Sequence, residues 1–69
     1  MDKIGLTIEE ATEYTSIGRD TIRRLIEWGK LPVLRIGRKT IIRRDILEKF
    51  MEINLGVDLL IREQVKGVE

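Results

Sequence analysis

The chain has 69 residues, with 36% charged and 42% hydrophobic side chains, a net charge of +1, and neither cysteine nor histidine. One small domain with a compact core fits that length. Disulfide staples, thiolate metal sites and the imidazole that usually serves as zinc ligand or general base are excluded. Apolar runs such as Leu59-Leu60-Ile61 are far too short to span a bilayer, and no targeting segment is visible. A cytoplasmic protein without membrane partner, metal or cofactor is therefore expected.

Thr7-Ile8-Glu9-Glu10 reads as a helix start, with Thr7 as cap and Glu10 completing a capping box. Ile8, Ala11 and Thr12 or Thr15 recur at helical spacing, which predicts a first helix over Ile8 to Thr15. Ser16-Ile17-Gly18 breaks it. A second helix is predicted from Arg19 to Trp28, stopped by Gly29, with Ile22, Leu25 and Ile26 at i, i+3, i+4. A short helix, a tight turn and a second helix on one apolar stripe form a helix-turn-helix pattern.

Pro32 forbids further helix. The β-prone runs Val33 to Ile36 and Thr40 to Arg43 predict a hairpin around a three-residue loop, Gly37-Arg38-Lys39. A third helix is predicted from Arg44 to about Glu52, with Leu47, Phe50 and Met51 facing inward. After the stop signal Asn54-Leu55-Gly56, a fourth helix over Val57 to Lys66 is predicted, carrying Val57, Leu60, Ile61 and Gln64 or Val65 on one side. The expected class is α+β and mainly helical. Residues 1–52 would form a winged helix-turn-helix domain and 53–69 a C-terminal helical extension or tail.

Between Arg19 and Arg44 stand nine basic residues and two acidic ones, whereas the remainder of the chain is acidic. A basic block with acidic flanks is the electrostatic footprint of a nucleic-acid binder. The bland alternative is a set of solvated surface charges. The predominance of arginine, the better ligand for phosphate and base edges, argues against it.

The blocks Leu6 to Tyr14, Ile17 to Ile26, Gly29 to Val33 and Arg35 to Arg38, in this order and spacing, resemble the excisionase family. These are small winged-helix DNA-binding proteins related to the MerR-type helix-turn-helix. The resemblance covers about residues 6–52. Thr15 stands where that pattern usually has a large apolar residue, which suggests looser packing of the first helix. Gly18 stands where a serine usually caps the recognition helix, and glycine is tolerated there at a small cost. The resemblance implies a non-catalytic recombination directionality factor. Such a protein binds and bends element-end double-stranded DNA and helps an integrase or recombinase. A small transcriptional regulator built on the same domain is the alternative.

A recognition helix enters the major groove with its N-terminal residues against base edges. That places Arg19, Asp20, Thr21, Arg23 and Arg24 at the DNA. Arg23, then Arg19, are the first choices for a bidentate grip on guanine. Arg24 suits phosphate, and Thr21 a thymine methyl or a phosphate. Asp20 either accepts from cytosine or sits favourably at the helix N-terminus. Arg38 and Lys39 form the wing tip, with Arg35 ranked behind them because strand residues alternate between faces. Tyr14 and Arg43 are candidate phosphate contacts. Trp28 is expected to cover apolar surface of the tail, with the Leu60/Ile61 stripe as partner within the chain or from a second copy. A docked fourth helix is the preferred reading of that stripe over self-association through the tail, and self-association on DNA is open because so small a domain reads few base pairs. No nucleophile–base pair is present, so no catalytic residue is assigned.

Overall fold

The computed structural model describes residues 3–69. Its elements run β1 (Gly5–Leu6), α1 (Ile8–Thr15), α2 (Arg19–Glu27), β2 (Leu34–Ile36), β3 (Lys39–Arg43) and α3 (Arg44–Ile53). The three strands form an antiparallel sheet in the order β1-β3-β2. The fold is α+β, mainly helical, and has the arrangement of a winged helix-turn-helix.

Local chemistry sets most boundaries. The Thr7 hydroxyl accepts from the Glu10 N–H at 3.1 Å, and the Glu10 carboxylate accepts from the Thr7 N–H at 3.0 Å. This reciprocal capping box starts α1 where the sequence places it. Ser16, at φ 63°, turns the chain out of α1. α2 ends one residue earlier than expected because Trp28 is its C-cap, and Gly29 follows at φ 73°, the left-handed conformation that closes helices.

The core gathers residues from every element but β2, with Leu31 and Val65 added from outside the helices and strands. Leu6, Ala11, Ile22, Leu25, Leu31, Ile42, Leu47, Phe50 and Val65 are all buried. On α2 the stripe is Ile22 and Leu25, with Ile26 half-buried beside them. Thr15 is buried as well. Its hydroxyl donates to the Ala11 carbonyl at 2.7 Å and accepts from the Ile17 N–H at 3.1 Å. The looser packing expected there is replaced by a satisfied polar contact that holds the helix-to-turn junction.

Three further details depart from the sequence expectation. The two-residue strand β1 was not anticipated; Gly5 pairs with Arg43 and Leu6 with Ile42. The hairpin loop has two residues, not three, because Lys39 already pairs with Ile36. Gly37, at φ 60°, supplies the glycine-first turn that brings those strands together. Met51 is 41% exposed rather than inward. The buried stripe of α3 centres on Phe50, with Leu47 and Asn54 on the same side, and Met51 falls about 100° away on its rim.

The fourth helix does not form. Residues 57–66 make successive turns, closed by i+3 bonds from Ile61 to Asp58, Gln64 to Ile61 and Val65 to Arg62. The Asp58 carboxylate takes the Leu60 N–H at 3.0 Å, a local alternative to helix. Val65 is drawn into the core, whereas Leu60 and Ile61 remain exposed and form no docked stripe. Trp28 is half-buried, and its ring lies beneath the Arg62 guanidinium, 6.0 Å from centroid to Cζ. No helix among the described residues is long and apolar enough to cross a membrane.

Candidate nucleic-acid interface

The outer face of α2 is where the basic block becomes geometry. With Ile22 and Leu25 buried, helical spacing turns Arg19, Asp20, Arg23, Arg24 and Glu27 outward, all of them exposed. Thr21 is half-buried. Gly18 caps the helix through its backbone alone, with no side-chain bond. Asp20 lies in the first turn, where a negative charge complements the helix dipole.

Arg19 is not unengaged. Its guanidinium lies 3.3 Å from the Glu9 carboxylate of α1, both groups being largely exposed. Glu9, Thr12 and Glu13 join Arg19, Asp20 and Thr21 around a groove at the start of α2. Sequence spacing gives no hint of the Glu9–Arg19 pair, because the turn between the helices brings them together.

The hairpin stands beside α2 across a cleft lined by Ile8, Arg23, Ile26, Glu27, Arg35 and Thr40. Arg35 pairs with Thr40 across the ladder, and the two share the sheet face directed to the helix. Arg23 and Arg35 therefore come together at one opening. Strand alternation was the signal for this, and it raises Arg35 where the sequence ranking had lowered it. Arg38 occupies the exposed hairpin turn. Lys39, also exposed, begins β3 and alternates with Thr40, so it leaves the ribbon on the opposite face.

Two sequence candidates lie elsewhere. Arg43 is held by Asp45 in a forked contact, Nε to Oδ1 at 3.0 Å and Nη2 to Oδ2 at 2.7 Å. It lines a depression on the reverse face of the sheet, along with Ile4, Leu34, Ile41 and Glu48. The Tyr14 hydroxyl donates to the Glu48 carboxylate of α3, which pushes the phenol above its ordinary pKa. A carboxylate at that spot opposes phosphate.

The electrostatics follow from these placements. Arg23 and Arg35 place two cations at the α2–hairpin cleft, which Glu27 also lines, while Arg24 and Arg38 are exposed on the helix and at the hairpin turn. Glu9 and Glu13 line the groove at the start of α2. Guanidinium groups on a protruding helix and ribbon are suited to phosphates and to guanine edges.

The family model of the helix-turn-helix domain matches residues 6–54, from β1 through the cap of α3. No curated protein and no solved structure matches the chain significantly. The match spans both helices, the hairpin and the helix that backs them. The chain belongs to the helix-turn-helix domain family and is a small DNA-binding protein.

Proposed function

We propose that this protein is an excisionase-like recombination directionality factor of the MerR-related winged type. In this reading α2 enters the major groove and the hairpin reaches the adjacent minor groove or its phosphates. Arg23 reads a base edge, supported by Arg19. Arg24, Arg35, Arg38 and Lys39 grip backbone, and Thr21 lies at the rim of that contact. The protein bends element-end DNA and assists an integrase without performing chemistry. Arg43, engaged by Asp45, and Tyr14, engaged by Glu48, take no part.

The observation that carries the reading is the shared cleft of Arg23 and Arg35, which aims helix and hairpin at one duplex. The preference for excision over transcription rests on the ordered blocks between Leu6 and Arg38 that resemble excisionases. A domain of this size covers few base pairs, so several copies on neighbouring sites fit the role.

Footprinting on DNA flanking the gene tests it. Tandem protected sites beside a recombination junction are expected. A single site overlapping a promoter overturns the excision reading in favour of a transcriptional regulator. Affinity should also fall with salt at a log–log slope of about −0.9 per phosphate contact, and a slope near zero contradicts the interface itself.

A further inference from the structure

Residues 55–69 lie beyond the family match, yet they are built into the domain. Val65 is only 3% exposed and belongs to the same core as Ile22, Leu25 and Phe50. The Asn54 carboxamide donates to the Phe50 and Lys66 carbonyls, each at 2.9 Å, and accepts from the Lys66 N–H at 2.8 Å. It thereby pairs with Lys66 as a neighbouring strand would, and its own polar atoms are satisfied.

Beyond that point the chain crosses the connection between α2 and β2. The Val68 N–H donates to the Lys30 carbonyl at 3.0 Å. Gly67 passes so close that a Cβ there would lie 3.3 Å from the Lys30 Cα. Glu69 shares a depression with Pro32, Val33 and Leu34. Earlier in the segment, Arg62 covers Trp28. These contacts fall between the end of α2 and the start of β2, the stretch that carries the hairpin away from the recognition helix. α2 itself packs on α1 and has no extensive backbone packing on the hairpin. The α2–hairpin spacing thus depends both on α1, which packs on α2 and on β3, and on how that connection is held.

We infer that residues 54–69 are a strap that sets the position of the hairpin relative to α2, and so control DNA affinity without contacting DNA. The inference rests on the hairpin acting as a DNA-contacting wing. Loss of the strap leaves α2 and its arginines intact but lets the connection at Lys30 to Val33 shift, so the wing no longer meets the duplex that α2 has engaged.

The test is a double-mutant cycle on the full chain, at a temperature where circular dichroism shows every variant folded. Gly67→Val forces the strap off Lys30, and Asn54→Ala releases Lys66 by a second route should the first variant not fold. Each is combined with Arg38→Ala, and affinity for a duplex carrying the preferred site is measured. Arg38→Ala alone should weaken binding by about tenfold, the worth of one charge-assisted contact. The strap variants should weaken it severalfold, speed amide exchange at Lys66 and Val68, and reduce the Arg38→Ala factor to near one. If the Arg38 factor is the same in both backgrounds, the strap acts only on stability and the inference is overturned. Unchanged affinity in strap variants whose amides exchange faster overturns it as well. If Arg38→Ala has no effect in the unaltered background, the wing reading fails first, and the inference falls with it.

Discussion

Arg23 of α2 and Arg35 of β2 line one cleft, although helix and strand are separated by the Gly29 to Val33 connection. Two guanidinium groups facing one opening repel each other unless an anion lies between them. Glu27 lines the same cleft and offsets part of that repulsion; in the proposed complex the DNA phosphates would offset the rest.

From that arrangement, Arg23→Ala should cost ~1–3 kcal/mol at the preferred site and distinctly less on random duplex. Arg38→Ala and Lys39→Ala should weaken both duplexes alike. Arg35→Ala should couple with Arg23→Ala, the double variant departing from additivity because both groups act on one stretch of backbone. Competition titrations with specific and random duplexes check this. Equal losses for Arg23, Arg38 and Lys39 on the two duplexes would remove Arg23 as a base reader.

Thr15 makes a second prediction. Thr15→Val keeps the shape and removes a hydroxyl that bonds the Ala11 carbonyl and the Ile17 N–H. The Ile17 N–H then loses its partner in a partly buried turn, at a cost of ~1–2 kcal/mol. Urea unfolding should show the loss with an unchanged m-value. A neutral or stabilising Thr15→Val would mean that the turn does not need this bond.

The N-terminal cap makes stability pH-dependent. The Lys3 ammonium, 2.6 Å from the Glu10 carboxylate, lowers the Glu10 pKa, and the Thr7 N–H adds to the effect. A carboxyl whose folded pKa lies below its unfolded value stabilises the fold above the unfolded value. That contribution disappears as the pH falls through the lower, folded one. Lys3→Met should therefore be less stable than the parent at pH 7, and the two should converge below the ordinary carboxylate range of about 4.3. Unfolding curves taken at steps from neutral to acid decide it, and a constant difference at every pH counts against the pair.

Gly18 offers a stabilising change. Its backbone is extended at φ −59° and ψ 152°, and no atom lies within 4 Å of the place a Cβ would occupy. Gly18→Ser should add a side-chain cap to α2 and raise stability by a few tenths of a kcal/mol. Thermal unfolding is sensitive enough to see it. A loss of stability would show that the serine cannot reach the first-turn amides.

The parts of the fold that were legible in the sequence are those with local causes. Thr7 and Glu10 mark the start of α1, Gly29 marks the end of α2, and Pro32 separates helix from strand. β1 was hidden because two residues become a strand only when β3 lies beside them. Lys39 looked like loop because the two-residue turn depends on the φ of Gly37. Val57, Leu60 and Ile61 mimic a helical stripe, but burial of Val65 and the Asn54–Lys66 pairing are tertiary choices that periodicity does not encode. The charge count marked the basic block between Arg19 and Arg44. It did not reveal that Arg43 is engaged by Asp45, Arg19 by Glu9 and Tyr14 by Glu48, since each depends on how neighbouring elements pack or on the direction a side chain takes.

The pairing of Gly5 and Leu6 with Arg43 and Ile42 has a mechanical meaning. A lone two-stranded ribbon is marginal in water, but here β3 pairs with β1 at its root, through Ile42 and Arg43, and with β2 from Ile41 to Lys39 toward the tip. The hairpin is therefore a cantilever: clamped where it leaves the domain, compliant at Gly37 and Arg38. In the proposed complex its base holds the docking angle while the exposed turn at Gly37 and Arg38 meets the duplex.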